Sequence, residues 1–526
     1  MKRLFILIAL SFVLTAHAQR PIMPDTVSRG QQRIDEVMRL IDGNYSETPD
    51  MDRIADEAIV SMLKALDPHS IYIAAKDVER ANEGLQGNFE GVGVSFQIVS
   101  DTVVVQSVIA GGPSEKVGIM VGDKMVAVDG IPATGDSAKN DFVFRHLRGK
   151  KGTTVVVDIL RQGVPYQFHI VRDKIPIYSI DTYFMADDSI GYIRLIRFAR
   201  TSVKEFEKAV GDLKKQGMKA MILDLRGNTG GYLDIAHGLA SQFLDRGQLV
   251  VYQQGRRTPR QDYRANGRGV WRKGRLVVLV DEGSASASEI VSGAVQDWDR
   301  GLLVGRRTFG KGLVQRMFPL RDGGQVRLTT ARYYTPSGRC IQRPYDEGYD
   351  AYRSDIDNRF QHGEMVNVDS IHFADSLRYR TFHGRIVYGG GGVMPDVFVP
   401  MDTMRLSDYY ISLRGKGLMN SFPLQWADQH RHDPRVKTFD LFLENYDSFG
   451  LDSLLTAAAI EKGIVRDTEK EAAEPERTAH SDRYMSLMLK AQVAKDLFGM
   501  EYYYKVIRAA DDGYLEAMRL LQDGGK

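Results

Sequence analysis

A serine in a run of small residues, a lysine between glycines and a glutamine four positions later are the residues here best suited to covalent chemistry. The run is Gly283-Ser284-Ala285-Ser286-Ala287-Ser288-Glu289, and the other two are Lys311 and Gln315. A serine hydroxyl attacks an amide carbonyl once a base removes its proton, and a neutral lysine serves as that base without a histidine. For this Lys311 must exchange a reference pKa of about 10.4 for about 7–8, a shift that burial imposes at a cost of ~4 kcal/mol. Lys311, Leu313 and Gln315 fall on one face of a period-two strand, so Gln315 is placed to hydrogen-bond the amine and aim it.

An attacked carbonyl also needs a home for its negative oxygen. Ala287, Ile290, Val291, Ala294 and Val295 recur at helical spacing, so a helix begins at or just after Ser286, where unpaired N–H groups gather. The N–H of Ala287 is one candidate donor. Asp224-Leu225-Arg226-Gly227-Asn228-Thr229-Gly230-Gly231 offers a second, from Gly230 or Gly231, because it leaves a buried strand and bends on glycines into another helix. In a parallel sheet both turns lie at the same carboxyl edge. Such a donor contributes ~3 kcal/mol to the transition state. Other readings stand beside this one. Ser286-Ala287-Ser288-Glu289 also fits an S-x-x-E capping box, which needs no catalysis. Ser284 and Ser288 are alternative hydroxyls, and His237 leaves a histidine-dependent triad open.

The elements that must position these residues follow from the pattern of the chain. The 526 residues exceed one core and imply two to four domains. A hydrophobic fraction of 43% with 26% charged residues is that of a soluble globular protein. The formal charge of +2 falls near zero without Lys2 and Arg3, so no footprint for nucleic acid or anionic membrane exists. Lys2, Arg3, an apolar run over 4–14 and Ala16-His17-Ala18 read as a secretory leader over 1–18, which predicts an exported protein, periplasmic or extracytoplasmic, starting at Gln19. Cys340 is the single cysteine, so no internal disulfide supports the fold. Residues 28–75 carry helical spacing broken at Asp67-Pro68-His69-Ser70. From about 85 the texture turns to short strands and glycine turns, with a hairpin about Gln162-Gly163. From about 189, strands over 190–198, 220–225, 276–280 and 302–304 alternate with helices over 203–214, 233–243 and 286–296, the mark of a mainly parallel sheet. Beyond 402 the chain turns helical, with a polar linker or exposed loop over 466–478.

The constellation resembles the C-terminal processing peptidases, or tail-specific proteases. Their nucleophile is the middle serine of S-A-S-A-S-E, their lysine lies in T-F-G-K-G, and their glutamine follows at K-x-x-x-Q. These positions are Ser286, Lys311 and Gln315. Asp67-Pro68-His69-Ser70, the run Arg332 to Arg339 and Gly390-Gly391-Gly392-Val393-Met394-Pro395-Asp396 extend the match across roughly 30–400. Arg306-Arg307 and Cys340 depart from it, where acidic residues and serine are common. The resemblance implies oxyanion donors at Ala287 and at Gly230 or Gly231. It also implies an α/β protease core, crotonase/ClpP-like, over 173–402, with an inserted PDZ domain over 85–172. An N-terminal helical region over 19–84 and a helical C-terminal extension over 403–526 flank these. In the PDZ domain, Gly91, Val92, Gly93 and Val94 match the loop that receives a peptide carboxylate, while the peptide adds as a strand. Phe142, Val143 and Leu147 are candidates for an apolar pocket beside it.

The expected activity is therefore a serine endopeptidase acting on proteins with apolar, unstructured C-termini. It uses no cofactor, no metal and no nucleic acid, and the terminal helical regions could mediate a homo-oligomer or an adaptor contact. The alternative is a non-catalytic peptide- or ligand-binding scaffold of the same fold, as in related retinoid-binding proteins. Rival motifs fail. Gly305 to Gly312 approximates a P-loop, but Gly312 stands where a magnesium-holding hydroxyl is needed and a strand follows. Ser61-Met62-Leu63-Lys64 has no Lys-Thr-Gly partner. His430 and His432 lack a third metal ligand at suitable spacing.

Overall fold

The computed structural model describes residues 27–99, 101–109 and 111–523; the expected leader over 1–18 lies outside the described residues. The candidate site rests on a six-stranded sheet. In spatial order its strands are β1 (Ile180–Met185), β2 (Ile190–Leu195), β3 (Ala220–Asp224), β4 (Arg275–Val280), β5 (Leu302–Gly305) and β6 (Val397–Phe398). Strands β2 to β6 run parallel, and β1 is an antiparallel edge strand. Between them run helices α1 (Ser202–Lys215), α2 (Leu233–Ala240) and α3 (Ala287–Asp297).

Alternation along the strands loads both faces of this sheet. Met221 and Leu223 of β3, with Leu276, Val278 and Val280 of β4, join the core formed with the three helices. Ala220, Ile222, Val277 and Leu279 point the other way, onto Tyr514, Ala517 and Leu521. Those three residues belong to the helix Asp512–Gln522, close to the end of the chain. The segment read as an extension therefore supplies one of the layers that covers the core sheet.

A second, mixed-length antiparallel sheet carries the lysine side of the site. It orders Ile71–Ile73, Gln325–Tyr334, Leu249–Gly255 and Thr258–Arg264, and Leu313–Pro319 also pairs with Gln325–Tyr334. Only the strand after Lys311 was anticipated. Thr258–Arg264 buries none of its residues, so it has no apolar alternation to betray it. The strand Ile71–Ile73 ties the N-terminal region, otherwise the helices Arg29–Asn44, Met51–Lys64 and Val78–Gln86, into this sheet.

Between the N-terminal region and the core lies a separate small sheet, with strands Val94–Val99, Thr102–Val108, Lys124–Val128, Thr154–Arg161 and Val164–Val171 in that order. The hairpin at its end turns on Gln162 and Gly163, with φ of 49° and 83°, the paired positive values of a two-residue primed turn. The polar stretch over 466–478 is not a linker. It forms the helix Thr468–Ala473 and starts the helix Pro475–Phe498. Its basic residues are paired: Arg466 holds Glu471 and Asp482, and Lys470 and Arg477 both hold Asp408.

Candidate active site

β4 leaves the sheet at Val280 and turns into α3 through the three alternating serines. Two of them are structural. Ser284 donates to Leu225 O (2.8 Å) and Ser288 to Asn228 O (2.7 Å), and both are buried. With Ala285 N also donating to Asn228 O (3.0 Å), the serine turn is stapled to the glycine turn that follows β3. Ser286, between them, lines an open cavity and adopts φ 55° and ψ −109°, a conformation costly for any residue but glycine.

Glu289 is the main fastening of the site. Its Oε2 accepts from the N–H of Ser286 (2.8 Å) and of Lys311 (2.9 Å). Its Oε1 accepts from Gly310 N (2.7 Å) and Thr308 Oγ1 (2.5 Å). Burial pushes this carboxyl up, and the four donors oppose that. In the sequence alone Glu289 is marked only as the acidic member of a capping box. The signal for more was its place in the first turn of a helix that has every residue buried, where a carboxylate must find donors beyond its own helix. Tyr333 adds a second link, its hydroxyl donating to Lys311 O (2.7 Å) and lying 3.1 Å from Ser286 O.

Lys311 lines the same cavity as Ser286. Burial lowers its amine below the ordinary lysine value, the charges of Glu289 and Asp67 work against this, and Arg327 adds to it. Gln315 is also on the cavity wall, and its amide nitrogen donates to Thr329 Oγ1 (3.1 Å). A register shift between Val314 and Gln315 brings Leu313, Val314 and Gln315 all to the wall, so the simple period-two face is not what selects them.

The glycine turn closes the site from the other side. Gly230 has φ 101°, and a Cβ there would stand 2.8 Å from Ala285 O and 2.9 Å from Ala287 N, so only glycine permits the approach. Its N–H is taken by Asn228 Oδ1 (2.9 Å). Among the described residues no hydrogen bond takes up the N–H of Gly231 or Ala287. Of the two glycines, then, Gly231 has the free donor. His237 is outside this group: its ring bonds Arg264 O (2.9 Å) and does not line the cavity. The cavity encloses about 270 Å³, and Leu85, Leu233, Ile290, Leu313 and Met317 make much of its wall apolar.

In the small sheet, Val94–Val99 is an edge strand with one free side, beside the helix Asn140–Leu147. Gly91, buried, ends a short strand Asn88–Gly91 that pairs with Asp173–Pro176; Val92, also buried, and Gly93 at φ 79° then connect it to Val94. Val92 O is held by Ser114 N (3.1 Å) and Ser114 Oγ (2.7 Å). Two of the three pocket candidates are displaced: Val143 and Leu147 belong to the core of this sheet, and Phe142 packs at its margin. Phe144 instead faces the edge strand, its ring 5.6 Å from that of Phe96.

Three family models match the chain: peptidase family S41 over residues 189–348, a PDZ domain over 91–171, and a family of unknown function over 409–499. The carboxy-terminal-processing protease of Bartonella bacilliformis is 35% identical over 316 residues, 59% of this chain and 72% of that protein. The carboxy-terminal processing protease CtpA of Bacillus subtilis is 33% identical over 323 residues, 60% of this chain and 68% of that protein. Among solved structures, the photosystem II D1 C-terminal processing protease aligns with 27% identity and a TM-score of 0.37, covering 72% of this chain and 95% of that one.

Proposed function

The chain belongs to peptidase family S41, the carboxy-terminal-processing serine proteases, and from that premise we propose that it cleaves proteins at or near their C-terminal tails with a Ser286–Lys311 dyad. Ser286 Oγ bonds to the scissile carbonyl carbon while its proton passes to neutral Lys311 Nζ. The oxyanion lies against the N–H groups of Ala287 and Gly231. As the carbon–nitrogen bond breaks, Lys311 returns the proton to the leaving amine. Water then cleaves the acyl-serine by the same exchange. Gln315 aims the lysine amine, and the sequence of steps calls on no metal or nucleotide.

The observation that carries this reading is a single buried carboxylate, Glu289, accepting the backbone N–H of both Ser286 and Lys311, two residues that line one cavity. The apolar wall of that cavity supports substrates with apolar side chains near the cut. In the same reading the core over 173–402 is crotonase/ClpP-like. The PDZ domain over 85–172 takes a free, apolar C-terminus at Gly91, Val92, Gly93 and Val94 and adds it to the edge strand. Residues 1–18 direct export to the periplasm or another extracytoplasmic space. The region over 19–84 and the extension over 403–526 are where a second copy or an adaptor would dock; the helix Arg29–Asn44 buries none of its own residues.

The test is cleavage of an unfolded protein with a free apolar tail by the chain from Gln19. Ser286→Ala and Lys311→Ala abolish cleavage and retain tail binding. The reaction needs the free amine, so the rate climbs with pH as Lys311 loses its proton, through a midpoint below the ordinary lysine value of 10.5, and levels off above it. Full activity of Lys311→Ala overturns the dyad; binding without cleavage by the unaltered chain returns it to the scaffold reading.

A further inference from the structure

Asp67-Pro68-His69-Ser70 lies more than 200 residues before Lys311, on the far side of the PDZ domain, yet the fold brings it to the back of the lysine's neighbour. The strand Ile71–Ile73 pairs with Gln325–Tyr334, with Ile71 opposite Arg327, and Leu313–Pro319 pairs on the same strand with Gln315 opposite Thr329. Thr329 is thereby flanked by Gln315 and by the turn at Asp67.

The hydrogen bonds there run one way. Asp67 Oδ1 accepts from His69 N (2.8 Å), Ser70 N (2.9 Å) and Thr329 Oγ1 (3.1 Å), and Oδ2 accepts from Ser70 Oγ (2.6 Å). Ser70 Oγ in turn accepts from Thr329 N (3.1 Å). A threonine hydroxyl has one proton, and here the carboxylate takes it. Thr329 Oγ1 can then only accept from Gln315, so the Gln315 atom facing it at 3.1 Å is the amide nitrogen. The carbonyl oxygen of Gln315 is on the opposite arm of the planar amide and is left as the free acceptor on the cavity wall shared with Lys311.

We propose that Asp67 is a positioning residue for the base: acting through Thr329, it fixes the amide of Gln315 so that the carbonyl oxygen is offered to the amine of Lys311. This rests on the dyad reading above. Without Asp67 the Thr329 hydroxyl is free to donate to Gln315, and the amide can turn its nitrogen toward Lys311, where a donor would face a donor. The surroundings of Lys311 sharpen the requirement. Glu289 and Asp67 are the negative charges acting on it, and Arg327 is the positive one. His69 adds no charge, because burial first, then Lys311 and Arg343, take its pKa to about 3 despite Asp67, and its Nε2 is bonded to Tyr352 Oη (2.7 Å).

Thr329→Val keeps the volume and the strand and removes the hydroxyl alone. Its kcat falls by between about tenfold and a hundredfold at unchanged KM, with the melting temperature near that of the parent, and Thr329→Ser restores most of the rate. Gln315→Leu combined with Thr329→Val loses no more than Gln315→Leu alone, as expected of residues acting in series. Asp67→Ala, which removes the acceptor of the Thr329 hydroxyl, loses rate as Thr329→Val does. It also moves the pH–rate midpoint downward, since a negative charge that favours protonated Lys311 is gone; Thr329→Val leaves the midpoint in place. A Thr329→Val variant with parental kcat, or losses that multiply in the double variant, overturns the relay while Lys311→Ala remains inactive. If Lys311→Ala is itself active, the dyad falls and the relay with it.

Discussion

At the scale of single residues, Ser286 is held on the cavity wall while its two neighbours turn their hydroxyls into the fold. Ser284 and Ser288 are bound to Leu225 O and Asn228 O, and the backbone between them is forced to φ 55°. That strain is a cost of the site and not of the side chain. Ser286→Ala keeps it and Ser286→Gly releases it, so both variants are inactive but the glycine variant is the more stable, by about 1 kcal/mol in denaturant titration. Equal stability would show that the turn is relaxed. The capping box and the proposed nucleophile, rival readings in the sequence, share one residue and do not exclude each other. The box is legible because S-x-x-E is local. Its extension to Lys311 is not, since no spacing announces that a carboxylate capping one turn also accepts the N–H of a loop 22 residues on. The same limit hid the choice between Gly230 and Gly231, which depends on the side chain of Asn228.

At the scale of elements, legibility follows burial. The strands β3 and β4 are largely apolar runs, and the alternation of strands with helices exposed the sheet and placed the serine and glycine turns at one edge. The hairpin at Gln162-Gly163 was legible from its turn residues. The antiparallel sheet behind Lys311 was not, because strands such as Thr258–Arg264 bury nothing and Ile71–Ile73 is too short to show a period. On the helix Asn140–Leu147 the apolar chemistry was legible but its facing was not: Val143 and Leu147 join the core of the small sheet, and Phe144 is the residue set against Phe96 of the edge strand. The loop before the edge strand makes a prediction of its own. Gly93 at φ 79° has Ile175 Cδ1 only 3.0 Å from where a Cβ would sit, so Gly93→Ala distorts the loop proposed to receive the carboxylate. Calorimetric binding of a peptide with a free apolar C-terminus weakens about tenfold or more, whereas the same peptide amidated binds poorly to parent and variant alike. Unchanged affinity in Gly93→Ala would place the tail elsewhere.

At the scale of the whole molecule, the end of the chain closes what its middle begins. Apolar residues on both faces of β3 and β4 demand cover on both sides, and α1, α2 and α3 cover only one. The apolar strands announce a parallel sheet in the sequence; that residues 512–522 supply its second cover is visible only in the fold. The junction is also electrostatic. Arg226, in the glycine turn, binds Asp511 with both terminal nitrogens (2.7 Å each), and Asp511 caps the helix by accepting from Tyr514 N (3.0 Å). On its other side Arg226 meets Asp224, where burial alone would raise the carboxyl, yet Arg226 and Arg194 hold it at about 2. Removing residues 500–526 therefore does two things. It strips Tyr514, Ala517 and Leu521 from the sheet, at about 1.5–3 kcal/mol for each large side chain, against a total domain stability of about 5–15 kcal/mol. It also frees Arg226 four residues before Gly230, loosening the turn that carries the proposed oxyanion donor. The truncated chain should aggregate or bind a hydrophobic dye at temperatures where the parent is folded. Asp511→Asn, which keeps the apolar cover and loses the ion pair, should remain soluble with a lower melting temperature and a reduced kcat. A truncated chain that is monomeric, cooperative in unfolding and fully active would show that the helix is an attachment to a core already complete without it.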